Sequence, residues 1–390
     1  MDTKINCDIA IVGAGIAGLW LANCLTQQGY HVLLLEKDAI GAGQTLCSQG
    51  IIHGGTKYAL KGNLTAAALS VSQMPALWQA CLSGHGEIDL QTVQTLSDAH
   101  YLWTRGKFTA AIKSFISQKM LNSSSQVLSF AQYPTFFQQS QFHGTLCALS
   151  ETVLDVRSLL RALAQPIRKN ILLGAATVQY TNDKHVEHLK LQYQNQAAAI
   201  RAQHYIFTAG QGGQDLLPNQ THQMQLRPLH MVWLRFQDHY PDRRIYVHCV
   251  EQGITPKLTV TSHIDRQGHT IWYLGGGLAE SGIKRNTAQQ IQAAQSLVNE
   301  LFPWIDFTHC QWFTHRIDRA EASQSGGKRP DGPIAQASAD NATIAWPTKL
   351  ALAPLLADQI QRILPPITPQ QSNSTDHWPT AMIGNYLWDQ

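Results

Sequence analysis

The stretch Ile9-Ala10-Ile11-Val12-Gly13-Ala14-Gly15-Ile16-Ala17-Gly18 decides how this chain is read. Four consecutive apolar residues have the length of a buried strand, and glycines follow at once. Leu19-Trp20-Leu21-Ala22-Asn23-Cys24-Leu25 continues at helical spacing until Gly29 closes it, and His31-Val32-Leu33-Leu34-Leu35 is a second buried strand ending in Glu36, 23 residues after Gly13. Strand, glycine turn, helix, strand and terminal acid make a complete βαβ unit. Gly13 permits the tight turn, Gly15 lets backbone approach a pyrophosphate, and Gly18 lets helix and strand pack closely. Ile16 and Ala17 stand in the first helical turn, whose N-terminus faces the anion. Glu36, followed by Lys37, accepts hydrogen bonds from a ribose diol, so FAD or NAD fits better than NADP. Glycine turns also arise for packing alone; five features in register favour the dinucleotide.

The 390 residues suggest two or three domains. With 44% hydrophobic residues, collagen-like, coiled-coil and disordered chains are excluded. A net charge of +3 is too weak a field for a nucleic-acid partner. Seven cysteines without a CxxC pair do not form a disulfide framework, and the polar start Met1 to Asp8 lacks the pattern of a signal peptide. The expectation is a cytoplasmic protein without a transmembrane segment, with peripheral membrane contact left open.

Beyond Glu36, a small polar loop containing Thr45 leads to Ser48-Gln49-Gly50-Ile51-Ile52-His53-Gly54-Gly55-Thr56-Lys57-Tyr58. Its glycines let backbone approach a flat ligand, while His53, Lys57 and Tyr58 supply a proton carrier, a cation and a hydroxyl. Residues 64–82 and 155–163 read as helices, Asn122 to Gln126 as a surface loop, and 171–180 with 186–193 as paired strands. Tyr205 to Gly210 is a strand returning beside the first glycine turn. Strand patterns at 225–234, 244–250, 258–264 and 270–275, with a turn at Asp265-Arg266-Gln267-Gly268, predict an antiparallel or mixed sheet. The fold class is therefore α/β, a Rossmann-like nucleotide domain with a second α+β substrate domain. The boundaries are 1–85, 151–215 and 311–364 for the discontinuous nucleotide domain, 86–150 and 216–310 for the substrate domain, and 365–390 for a C-terminal tail.

This order of features resembles the FAD-dependent oxidoreductases of the D-amino acid oxidase and glycine oxidase superfamily over residues 8–362. Gly13 to Glu36 is similar to that family's ADP-binding start, Ile206 to Gly210 to its returning strand, and Arg329-Pro330-Asp331-Gly332-Pro333-Ile334 to its segment near the end. Ser48 to Tyr58 resembles stretches of L-2-hydroxyglutarate and glycerol-3-phosphate dehydrogenases. The resemblance implies FAD held by Gly13, Gly15, Ile16, Ala17, Gly18, Glu36, Lys37, Thr45, Ser48, Gln49, Gly50, Ile52, Val178, Ala209, Gly210 and Asp331. Where relatives have a glycine-rich turn over the flavin pyrimidine, this chain has Ala345-Trp346-Pro347-Thr348-Lys349. Proline has no backbone donor, which leaves Thr348, Lys349 or Leu350 to contact the flavin carbonyl.

The resemblance implies removal of a hydride and a proton from a carbon bearing a hydroxyl or an amine. His53 is the first choice as base or flavin-ring partner. His230 and His263 could face the same cleft, and each has an ordinary sheet reading too. Arg227, Arg319, Lys57 and Lys349 are candidates for an anion clamp, and Tyr246 and Tyr58 for closing the pocket. Histidine spacing shows no metal motif, so no metal is expected. The expected substrate is a small 2-hydroxy acid, with an unknown electron acceptor. The alternatives are an amine or amino-acid oxidase of the glycine or sarcosine oxidase type, and a flavoprotein that modifies or assembles a macromolecular partner.

Overall fold

The computed structural model describes residues 3–53, 73–105, 125–182, 184–217, 224–237, 243–251, 256–368 and 375–390. In chain order the strands are β1 Thr3–Val12, β2 Val32–Glu36, β3 Thr95–Ser97, β4 His100–Thr104, β5 Ser125–Val127, β6 Thr145–Leu149, β7 Val153–Leu154, β8 Ile171–Leu173, β9 Ala175–Asn182, β10 His185–Tyr193, β11 Gln196–Phe207, β12 Met224–Arg235, β13 Tyr246–Val250, β14 Leu258–Ile264, β15 Thr270–Gly275, β16 Gln311–Ala322, β17 Ile334–Ala339 and β18 Ala342–Trp346. Two large sheets contain all of these except the small β3–β7 ladder.

The first sheet runs β17-β18-β11-β1-β2-β8. Strand β1 is central and parallel to both β11 and β2. It reads as an unbroken apolar run because both faces are covered. Ile9 and Ile11 face the helix side with Leu19 and Trp20, while Cys7, Ala10 and Val12 face a core shared with Leu189 and Phe207. Helix α1, Ile16–Gln27, is buried from Ile16 to Leu25, which is why its apolar residues form no narrow stripe. Strand β11 carries β10 beside its first half and β18 beside its last residues.

The second sheet runs β16-β12-β15-β14-β13-β4-β6-β5 and is antiparallel except where β13 meets β4. Its residues divide between the two faces with period two. Val247, Cys249, Val260, Trp272 and Leu274 pack with Leu297 and Val298 of the helix Thr287–Leu301. Leu102, Met231, His248 and Thr259 lie on the opposite face, which turns toward the first sheet and lines a cleft.

Several boundaries differ from the sequence expectation. Strand β16 pairs with β12 over its whole length, so residues 311–322 belong to the second sheet, and the return to the first sheet begins at Ile334. The single strand expected over 171–180 is broken at Gly174 into β8, which lies beside β2, and β9, which pairs with β10. Ser125 and Gln126, expected in a loop, open β5 and pair with β6. In the tail, residues 375–390 strap both sheets: Thr380 bridges to Leu172 of β8, Tyr386 Oη donates to Asp155 Oδ2 at 2.9 Å, and Arg235 of β12 donates to the Trp388 carbonyl at 2.8 Å.

Candidate active site between the two sheets

A cleft of about 600 Å³ lies between the sheets. Gly13, Gly15, Ile16, Ala17, Glu36 and Lys37 line its first wall, with Thr45, Ser48, Gln49, Gly50, Ala209 and Gly210. Gly13 has φ +105°, and a Cβ there would lie 2.7 Å from Ala209 Cα, so the turn admits only glycine. Gly15 caps α1 without a side chain, and the Ile16 N–H donates to Thr45 Oγ1 at 3.1 Å. The first turn of α1 carries no acid, and its positive end meets the cleft. The Glu36 carboxylate accepts from the Ala14 and Asp38 N–H groups at 2.9 and 3.0 Å, while burial pushes its carboxyl up. A helix N-terminus opened by glycines, with an acid at the tip of β2, fits a dinucleotide pyrophosphate and ribose.

Gly18 does not line the cleft: a Cβ there would stand 2.1 Å from the Gly13 carbonyl oxygen, so this glycine serves helix–strand packing. Three other residues expected at the cofactor lie elsewhere. Ile52 is buried in the core, Val178 packs in the β9–β10 ladder opposite Leu189, and Asp331 is exposed. Thr348, Lys349 and Leu350 do line the cleft, beside Trp346 and Pro347. Thr348 has φ +63°, a conformation that favours glycine, and its Oγ1 donates to the Gly332 carbonyl at 2.6 Å. The Arg329–Ile334 segment thereby holds the turn in place of glycine.

The second sheet supplies the other wall. His53 reaches the cleft half-exposed, and its Nδ1 lies 3.2 Å from Oε2 of Glu151, a carboxylate whose side chain is only 3% exposed. His248 stands beside them on β13, its ring stacked 5.7 Å from that of His53 and its Nδ1 2.8 Å from Thr259 Oγ1. His100 lies behind, with ring centroid 4.0 Å from that of His248. Burial pushes the His100 imidazole down to about 3, which keeps it neutral. Glu151, His248 and His100 escape sequence reasoning because they come from separate strands and loops. The signal that existed was the two-residue period of β13, which puts His248 on the same face as Tyr246.

Arg319 lines the cleft from β16. Its Nε donates to the Arg227 carbonyl at 3.4 Å, and Nη2 lies 3.9 Å from Glu280. Burial, then the neighbouring Arg227 and Arg329, lower it to about 10, so it stays cationic at neutral pH. The other candidates are accounted for differently. Arg227 pairs with buried Glu321 at 2.7 Å. His230 points away from the cleft, since Leu229 and Met231 on either side line it; its Nδ1 is 3.0 Å from the Gly282 carbonyl. His263 is buried against Trp388 and Tyr386 of the C-terminal strap. Tyr246 packs with Ile51 and Val153. Lys57 and Tyr58 lie outside the described residues.

The 47–50 segment is tied to the second sheet at two points. Tyr273 Oη donates to the Cys47 carbonyl at 2.8 Å, and Gln49 Nε2 donates to the Tyr273 carbonyl at 3.1 Å. These bonds fix the distance between the dinucleotide wall and the His53 wall.

Residues 8–344 match the FAD dependent oxidoreductase family model, DAO. The probable FAD-dependent oxidoreductase PA4991 of Pseudomonas aeruginosa is 38% identical over 395 residues, covering 100% of this chain and 99% of that protein. The crystal structure of PA4991 matches with TM-score 0.83 and 35% identity over 100% of this chain and 99% of that one. Glycine oxidase from Geobacillus kaustophilus shares the fold at TM-score 0.64 with 14% identity, covering 92% and 95% of the two chains. No helix among the described residues is long and apolar enough to cross a membrane. With the glycine cradle, the acid at the tip of β2 and these matches agreeing, the chain belongs to the DAO family of FAD-dependent oxidoreductases.

Proposed function

We propose that the cleft oxidises a small 2-hydroxy acid, or a similarly polar alcohol, to its oxo form. The observation that carries this reading is the placement of a His–Glu pair and a cationic arginine in the cleft that holds the dinucleotide cradle. Bound FAD supplies a two-electron acceptor for a hydride from the substrate carbon. Arg319 binds the substrate carboxylate, helped by the positive field of Arg227 and Arg329. His53 accepts the hydroxyl proton, and the buried Glu151 carboxylate orients the ring and stabilises its cationic form. Leu102, Leu149 and Met231 supply apolar lining that limits water near the reacting carbon.

A base favours an alcohol over an amine. An amino acid's ammonium group loses its proton far more readily than a hydroxyl does, so the alcohol has the greater need of a positioned acceptor. The resemblance of Ser48 to Tyr58 to dehydrogenase subgroups is the ground for preferring a dehydrogenase over an oxidase.

The test is anaerobic reduction of the flavin, with L-2-hydroxyglutarate, glycerol 3-phosphate, glycine and sarcosine in separate cuvettes. Bleaching by a hydroxy compound is expected. Bleaching by glycine or sarcosine alone would transfer the reading to an amine oxidase. Flavin that none of them reduces, with a protein partner copurifying, would favour a macromolecular substrate. Peroxide release in air separates oxidase from dehydrogenase.

A further inference from the structure

Three residues on the His53 wall carry a second chemistry. One ligand atom from each of His53, Glu151 and His248 lies within 4.8 Å of the others. We propose that these three side chains form a binding site for a divalent transition-metal ion of the zinc class, with its remaining coordination positions open to the cleft. The expectation of no metal rested on sequence spacing, and these residues come from three separate segments, so spacing could not detect them.

The donor set is two imidazoles and one carboxylate, a combination suited to Zn²⁺, Co²⁺ or Ni²⁺. With bonds of about 2.1 Å, neighbouring ligand atoms in a tetrahedral site stand about 3.4 Å apart. The His53 Nδ1 to Glu151 Oε2 separation of 3.2 Å already meets this. Bringing in the third atom takes a side-chain movement of about 1 to 1.5 Å.

Two further observations point to a ligand. Thr259 Oγ1 stands 2.8 Å from His248 Nδ1, an outer hydrogen bond of the kind that orients a metal-binding imidazole. His100 is wholly buried beside His248, and neither of its ring nitrogens has a hydrogen-bond partner among the described residues. It stands against the same cluster, behind the His248 ring. The ion would take the place of the proton between His53 Nδ1 and Glu151; the neutral imidazole keeps that proton by moving it to Nε2, and the ion neutralises the buried carboxylate.

The experiment uses flavin-loaded protein freed of metal by chelator and dialysis, titrated calorimetrically with ZnCl₂. We expect one Zn²⁺ per chain at this site. Glu151→Gln and His248→Phe should each weaken it by at least the roughly 10-fold that loss of an outer partner causes. His309→Gln, an exposed histidine elsewhere, should leave it unchanged. Zinc K-edge absorption of the wild type, which does not depend on any variant folding, should show only nitrogen and oxygen neighbours near 2.0–2.1 Å. Absence of retained zinc, a sulfur neighbour near 2.3 Å, or equal binding in both variants would overturn the proposal. Reversible inhibition by zinc is also expected, because the ion occupies His53; that readout alone rests on the function proposed above. Zinc bound without inhibition would count against the His53 base and leave the metal site standing.

Discussion

At the dinucleotide end of the cleft, residues that share a wall are neighbours in sequence: Gly13, Gly15, Ile16 and Ala17 all belong to one turn and the helix it opens. At the other end, His53, Glu151 and His248 share a wall although 98 residues separate the first two. The first end works through backbone, since glycine conformations and the N-terminus of a helix bind any pyrophosphate. The second works through side chains gathered from separate strands, where one substitution changes the chemistry. A backbone-built site is thus shared across a family, and a side-chain-built site is where members diverge.

The largest effect tests the backbone end. Gly18→Ala would place a Cβ 2.1 Å from the Gly13 carbonyl oxygen and 2.8 Å from Thr208 Oγ1, forcing α1 away from β1. Loss of bound FAD and destabilisation by about 3–5 kcal/mol are expected, read by flavin content and denaturant unfolding. Retention of full flavin would show that the turn tolerates displacement and that the contrast between the two ends is overstated.

At the side-chain end, His53→Ala should lower kcat by about 10²–10⁴-fold while leaving bound flavin intact. Arg319→Leu should raise KM about 10- to 100-fold, the contribution of charge-assisted hydrogen bonds to a carboxylate, with a smaller change in kcat. A His53 variant that keeps wild-type kcat would reduce that residue to a flavin-ring partner. An Arg319 variant with unchanged KM would remove the anion clamp.

The same contrast explains what the sequence could reveal. The βαβ unit was legible because its apolar runs, glycines and Glu36 are contiguous and each has a local physical cause. Strands 258–264 and 270–275 were legible for the same reason, with Asp265 accepting from the Gln267 and His269 N–H groups in the turn between them. Which face a strand side chain takes was harder. His230 was a fair candidate until pairing showed Leu229 and Met231 on the cleft side, because a one-residue phase reverses every side chain. Glu151 follows β6 in a stretch with no motif; the bridge of Ile51 to Val153, with the Ile52 N–H donating to the Thr152 carbonyl, brings it to His53, and the pairing of β6 with β4 and of β4 with β13 brings it to His248. Long-range register of this kind is not written in any local pattern.

Smaller effects arise from two buried histidines outside the cleft, His204 on β11 of the first sheet and His263 on β14 of the second. Burial holds His263 and His204 down to about 4, against an ordinary value near 6.5. Asp155 opposes this at His263, which packs against Tyr273, Tyr386 and Trp388; His204 Nε2 meets Thr343 Oγ1 at 2.9 Å. As pH falls below 6.5 the unfolded chain takes up protons first, so stability is full above that value and declines toward pH 4. Each histidine should account for up to about 3 kcal/mol of that decline. Denaturant midpoints measured from pH 7 to 4 should flatten in His263→Gln and His204→Asn, and an unchanged slope would place the acid sensitivity elsewhere.

The smallest effect tests whether the two ends of the cleft differ in kind. Thr348 stands in the turn after Trp346 at the edge of the cleft, and it adopts φ +63°. A β-branched residue there carries strain of about 1–2 kcal/mol. Its Oγ1 bond to the Gly332 carbonyl contributes about 1 kcal/mol in return. Thr348→Gly removes both at once and adds about 0.5–1 kcal/mol of unfolded-state entropy, so the net change in stability should stay within about 1 kcal/mol. Flavin content should hold, because glycine adopts the same φ freely. A loss of several kcal/mol together with the flavin would mean that the threonine side chain, through its tie to the Arg329–Ile334 segment, does at this turn what bare backbone does at Gly13.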